Sequence, residues 1–80
     1  MQVINRKSRY VVHEKKTNNF MARPDEIYSD GEVCDDIEYA NIWFDDEDAQ
    51  EYIDNILDKP ENFEVMIVEI NYEIKGIIEK

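Results

Sequence analysis

In the stretch DDEDAQEYIDNILDKPENFEVMIVEINYEI, residues 45–74, the apolar period changes once, and that change decides the fold. Ala49, Tyr52, Ile53, Ile56 and Leu57 recur at the spacing that lines one face of a helix. This spacing predicts a helix over 46–58. Asp45 suits its N-cap, and Asp46, Glu47 and Asp48 fall in the first turn, against the positive end of the helix dipole. Phe44 precedes the cap, where an apolar residue can staple onto the first turn, and Pro60 ends the helix. After Pro60 the period shortens to two. Phe63, Val65 and Ile67 share one parity of a strand, while Val68, Ile70, Tyr72 and Ile74 share the other. A β-bulge between Ile67 and Val68 would keep one face buried throughout; otherwise the first half of the strand is covered on both faces.

Upstream, Arg9-Tyr10-Val11-Val12-His13-Glu14 reads as a strand, with Tyr10 and Val12 on one face and Arg9, Val11 and His13 on the other, solvent-side face. Lys16-Thr17-Asn18-Asn19 is a turn, because asparagine tolerates left-handed backbone. Phe20 to Arg23 then returns as the second strand of a hairpin, and Pro24 stops it. Ser29-Asp30-Gly31 marks a turn within Ile27 to Cys34, between two short edge strands. Asp35 to Ala40 fits a helical turn, and Asn41-Ile42-Trp43-Phe44 fits a buried strand or the lead into the helix. Ile77 and Ile78 continue the edge or pack as a tail. The expected architecture is α+β, one domain over residues 1–80. An N-terminal hairpin and a long C-terminal strand form a small antiparallel sheet, with one helix at about 46–58 packed on a face.

A chain of 80 residues buries only about 60% of the surface its unfolded form exposes, so the core is thin. Its single cysteine, Cys34, cannot close an internal disulfide, which points to a reducing compartment, most simply the cytoplasm. No apolar run reaches the roughly 20 residues a membrane span needs. The segment Met1-Gln2-Val3-Ile4-Asn5-Arg6-Lys7 has no apolar stretch after its basic residues, so no signal peptide is expected.

Charge is the dominant compositional feature: twenty acids against nine bases, a net of −11. Residues 1–23 hold six bases and one acid, whereas residues 24–64 hold sixteen acids and one base, Lys59. Such a middle segment repels nucleic acid and anionic lipid and attracts basic surfaces. On the helix, Asp48, Glu51, Asp54, Asn55 and Asp58 lie off the apolar stripe, and like charges three or four positions apart oppose the helix by a few tenths of a kcal/mol per pair. Solubility alone needs a net charge of only about 2 to 8 units.

Catalytic readings are weaker. Asp45-Asp46-Glu47-Asp48 sits where acids stabilise a helix start, and neither Asp30-Gly31-Glu32 nor Asp35-Asp36 has calcium-loop spacing. One histidine and one cysteine cannot close a zinc shell. His13 and Cys34 are the only nucleophile–base pair available, and nothing in the sequence places them together. Pro24-Asp25 with Glu73-Ile74-Lys75 superficially matches a nuclease residue set, but the chain is too short for a substrate groove and its charge opposes DNA. With Gly31 and Gly76 alone, no phosphate loop exists. No catalytic residue, cofactor or metal is expected.

The stretch from Asp36 to Ala49, in which Ile37-Glu38-Tyr39-Ala40 leads into Ile42-Trp43-Phe44 and then an acidic cap, resembles a pattern in short proteins of bacteriophages and mobile elements. The resemblance implies a phage-encoded accessory protein. Some small acidic phage proteins inhibit host defence nucleases, CRISPR effectors among them, or DNA-repair enzymes, by imitating nucleic acid. No functional residue carries over by position. The leading expectation is a non-catalytic inhibitor that blocks the basic groove of a nucleic-acid-binding protein and does not bind nucleic acid or membrane itself. Its partner-binding carboxylates would be Asp45, Asp46, Glu47, Asp48, Glu51, Asp54 and Asp58, with Asp35, Asp36 and Glu38. Lys15 and Lys16, at a hairpin tip, would leave them unpaired. The alternative is a phage regulatory or structural protein acting through an apolar or sheet-edge contact, a homodimer among the options. Trp43, Phe44, Tyr39 or the 65–68 run would be its anchors, although Trp43 and Phe44 are expected to fill the core.

Overall fold

The computed structural model describes residues 4–73 and residue 76, with side chains described from Lys7 to Ile70 and at Gly76. Four strands form one antiparallel sheet in the order β3-β2-β1-β4: β1 (Ile4–Glu14), β2 (Asn19–Met21), β3 (Val33–Cys34) and β4 (Phe63–Glu73). One helix, α1 (Asp46–Ile56), lies across a face, so the expected α+β class holds. The helix ends at Ile56, with Leu57 as its extended C-cap, slightly short of the expected end at residue 58.

The frame is the pairing of β1 with β4. Eleven residues on each strand face one another in unbroken register, from Ile4 opposite Glu73 to Glu14 opposite Phe63. There is no bulge. The change of parity between Ile67 and Val68 is instead a change of face. Val65, opposite Val12, packs under α1 together with Phe63. Val68 and Ile70 lie on the other face, lining a hollow with Val11, Ile37 and Ile42. Both faces need apolar residues because α1 covers one and the 37–42 segment flanks the other.

The hairpin turn closes with the Asn18 N–H donating to the Glu14 carbonyl (3.0 Å), and Asn18 adopts the left-handed φ of 61° that asparagine tolerates. β2 is shorter than expected: Arg23 lies beyond it and Ala22 makes only an isolated bridge to Ala40. The reason is the segment from Tyr39 to Trp43, which fills the wedge where β2 splays from β1. Arg23 N–H donates to the Tyr39 carbonyl (2.9 Å), Asn41 N–H to Met21 (2.8 Å), and Tyr10 and Trp43 exchange two bonds (3.0 and 2.9 Å). Residues 25–27 form a bend and residues 30 and 31 a turn, with no strand between them, so β3 alone survives from the two edge strands expected there. The helical turn expected at 35–40 is a 3-10 turn over Ile37–Tyr39. The extension of the edge by Ile74, Ile77 and Ile78 lies outside the described residues.

The core on the helix side is Val12, Met21, Ala49 and Ile53, flanked by Tyr10, Val33, Trp43, Tyr52, Leu57, Phe63 and Val65. Two residues assigned to it by sequence are elsewhere. Ile56 is 58% exposed because α1 ends there, and Phe44 is 73% exposed. Successive residues of an extended segment point in opposite directions, so Trp43 turns in and Phe44 turns out, under the Arg9 guanidinium 4.5 Å from its ring centre. Beyond Tyr10 and Ile67 the two long strands run on as a two-stranded ribbon. The molecule is accordingly elongated, 48 × 26 × 20 Å, with a radius of gyration of 15.1 Å, against about 12 Å for a compact chain of this length.

Candidate functional site

The acidic face is built by α1. Asp45 holds the N-cap position with extended backbone, but its carboxylate makes no capping hydrogen bond. Asp46, Glu47 and Asp48 occupy the first turn, and all three are exposed, as are Glu51, Asp54 and Asp58. Asp54 accepts a bond from the Gln50 amide at 3.1 Å. Among the described residues none of these carboxylates has an ion-pair partner, whereas Glu64, on β4, lies 2.8 Å from the His13 ring. Three bases are engaged elsewhere. Lys15 donates to the Glu61 carbonyl (3.2 Å), Arg23 to the Glu38 carbonyl (3.2 Å), and Arg9 stacks on Phe44.

Open hollows flank the helix on both sides. One, of about 410 Å³, has Asp46, Glu47 and Gln50 on its rim and Tyr10, Val65 and Ile67 in its floor. The other, of about 270 Å³, sets Asp48, Glu51 and Asn55 against Trp43, Tyr52 and Ile56. A carboxylate rim above an apolar floor suits lysine and arginine, whose aliphatic stems pack while their charged heads stay at the rim.

Asp35, Asp36 and Glu38 do not join this face. Glu38 lines the hollow on the opposite side of the sheet, with Val11, Ile42 and Val68. Asp36 caps the 3-10 turn, accepting from the Glu38 N–H at 2.9 Å. The ten expected contact residues therefore form two groups, and α1 carries the larger.

His13 and Cys34 do not form a catalytic pair. His13 faces Phe20 across the hairpin and Phe20 faces Cys34, so two strand spacings, about 10 Å, separate them. His13 is also not at the surface. It is 8% exposed, with Nδ1 2.8 Å from Glu64 Oε2, Nε2 2.9 Å from Asn18 Oδ1, and its ring 5.5 Å from that of Phe20. Sequence reasoning missed this cluster, because Glu64 meets His13 only through the β1–β4 register. Burial pushes the Cys34 thiol pKa up, the thiol donating to the Asp36 carbonyl at 3.3 Å. Burial, and then the Asp30 carboxylate, push the Tyr52 phenol up. The Tyr28 and Ile27 N–H groups hold Asp25 below its ordinary value, which makes it a turn-forming residue.

Among the described residues no cluster of His, Cys, Asp or Glu could hold a metal ion, and no helix is long and apolar enough to cross a membrane. Compared with protein-family models, curated proteins and solved structures, the chain matches none.

Proposed function

We propose that the protein is a non-catalytic binder that presents the carboxylates of α1 to a basic, nucleic-acid-binding surface of another protein and blocks it. The observation that supports this most directly is the set of exposed, unpaired carboxylates at Asp46, Glu47, Asp48, Glu51, Asp54 and Asp58. Repulsion along such a helix opposes folding, and it is relieved when a basic surface closes over it. The flanking hollows give lysine and arginine side chains a place to lie. The phage resemblance narrows the target class to host defence or DNA-processing proteins, a CRISPR effector nuclease among them, met in the cytoplasm of a bacterial host. Because Asp35, Asp36 and Glu38 lie apart, the proposed contact surface is centred on α1.

Capture of partners from a bacterial lysate on the tagged protein, washed at low and high salt, tests the reading. Association between complementary charges is steered over distance and screened by ions, so the captured partner should elute as salt rises. Reversing Glu51 and Asp54 to lysine should weaken binding roughly tens-fold and leave the fold intact or slightly more stable. Reversing Lys15 and Lys16 to glutamate should matter much less. A partner whose affinity ignores salt, or that is lost mainly on the hairpin reversal, refutes the proposal.

A further inference from the structure

Among the described residues β4 is an edge strand over its whole length. The sheet order ends at it, and nothing among the described residues pairs with its outer side. Proteins blunt such edges with lysine, proline, bulges or short length. This edge has eleven residues in unbroken register, with neither lysine nor proline, and its charged positions are Glu64, Glu69 and Glu73.

Which peptide groups face outward follows from the pairing. Tyr10 spends its N–H and C=O on Trp43, away from β4. Peptide groups alternate in direction along a strand. The β4 residues opposite Tyr10, Val12 and Arg6, namely Ile67, Val65 and Asn71, therefore turn their own groups away from β1. Val68, by contrast, is bonded inward.

We infer that this edge pairs with a second copy of the chain, antiparallel, with Val68 opposite Val68 on the two-fold axis. In that register Met66 faces Ile70 of the second copy and Ile70 faces Met66, so three apolar pairs continue the hollow lined by Val68 and Ile70. Val65 meets Asn71 of the second copy, and both turn their peptide groups outward. No acid faces an acid: Glu64 falls opposite Tyr72, Glu69 opposite Ile67 and Glu73 opposite Phe63.

Charge selects a second copy laid head to tail. The ribbon, residues 4–9 with 68–73, carries Arg6, Lys7 and Arg9 against Glu69 and Glu73, whereas residues 24–64 are strongly acidic. Antiparallel pairing lays the ribbon of one copy beside the body of the other. Arg6, opposite Asn71, comes two strand spacings, about 10 Å, from Val65 of the second copy, which floors the hollow rimmed by Asp46 and Glu47. The same pairing gives the two-stranded ribbon, marginal alone in water, a third strand. The two-fold axis is perpendicular to the sheet, so both α1 helices emerge on one face. The edge pairing rests on the backbone of β4 and not on the acidic-binder reading, although the two share the hollow rimmed by Asp46 and Glu47.

The test is sedimentation of the full chain at low and high salt, with cysteine cross-linking for the register. The wild type should be dimeric and remain so at high salt, because the backbone pairing and apolar contacts persist while the ribbon-to-body attraction and the overall repulsion between two net charges of −11 are both screened. Val68→Cys should oxidise to a covalent dimer, because facing Cα atoms of a non-hydrogen-bonded pair lie about 4.5 Å apart, within disulfide reach. Met66→Cys should not, since its own twin lies about 13 Å away along the strand. Cys34 is buried and common to both variants. Ile67→Pro removes only an outward N–H and should raise the dimer dissociation constant about tenfold or more with an unchanged circular dichroism spectrum. A monomer at both salts at millimolar concentration, a folded Ile67→Pro dimer of unchanged affinity, or cross-linking at 66 equal to that at 68 overturns the inference. The cross-linking result decides even if the proline variant fails to fold.

Discussion

Ile53 and Ile56 occupy equivalent places in the apolar spacing of α1, yet the structure separates them: Ile53 is 1% exposed and Ile56 is 58% exposed. Substituting each by alanine measures that difference. The change removes three side-chain carbons, a transfer loss of about 2.4 kcal/mol at about 0.8 per buried CH₂. At Ile53 the void left against Val12, Met21 and Ala49 brings the cost to about 3 to 4 kcal/mol. At Ile56 only about two-fifths of the transfer term applies, about 1 kcal/mol, and the higher helix propensity of alanine returns a few tenths. Urea unfolding followed through Trp43, whose ring lies 5.2 Å from that of Tyr52, reads both variants. With a slope of about 1 kcal/mol per molar urea, the midpoint falls by about 3 M for Ile53→Ala and by about 0.5 M for Ile56→Ala. A domain of this size holds about 4 to 12 kcal/mol, so the first variant is folded but close to its limit. Equal shifts, or a larger one at Ile56, would refute the assignment of the core.

Cys34 should react with iodoacetamide on the order of 100-fold more slowly in the native protein than in urea, since access requires opening of the fold. Its raised pKa keeps the folded thiol protonated above about pH 8.5, where the unfolded thiol ionises, so the contribution present at lower pH is lost as pH rises. Cys34→Ala should remove that part of the decline in a pH series of unfolding curves. Phe44→Ala should cost about 1 kcal/mol or less, the worth of an exposed cation–π contact, and Trp43→Ala about 3 kcal/mol or more, compared by thermal circular dichroism. His13→Leu leaves Asn18 and Glu64 without their ring partner and should cost about 1 to 3 kcal/mol, whereas Glu64→Gln, which retains an acceptor oxygen, should cost less. A His13→Leu variant as stable as wild type would mean the cluster contributes nothing to folding.

The helix was legible because its period is local: five apolar residues within nine positions mark a face before any tertiary contact is known. The strand character of β4 was legible for the same reason, but the face each residue takes was not. Successive Ile67 and Val68 are compatible with a bulge or with two covered faces, and only the placement of α1 and of Ile37 and Ile42 decides. The N-terminal half of β1, Asn5-Arg6-Lys7-Ser8, has no apolar alternation; it is a strand because β4 supplies its hydrogen bonds. The acids of α1 were readable as an exposed row from helical spacing. The placement of Glu38 on the other side of the sheet was not, since it depends on the path from Tyr39 to Trp43 through the wedge between β1 and β2.

The pairing of β1 with β4 also governs how the chain can acquire its structure. Glu14 and Phe63, its most local pair, stand 49 positions apart, and Ile4 and Glu73 stand 69 apart. At about 5 to 20 residues per second of synthesis, β1 is made roughly 2 to 10 s before β4 begins. For that interval β1 has backbone partners only in β2, at His13–Phe20 and Glu14–Asn19, and in the single bridge from Tyr10 to Trp43. Val11 and Val12 wait without the strand that completes their layer, and α1 forms over a sheet still lacking its longest edge. Such non-local closure makes folding slow relative to helical domains of equal size. A nascent chain halted before Phe63 should therefore be open to protease along its whole length, with protection arriving in one step once β4 has left the ribosome.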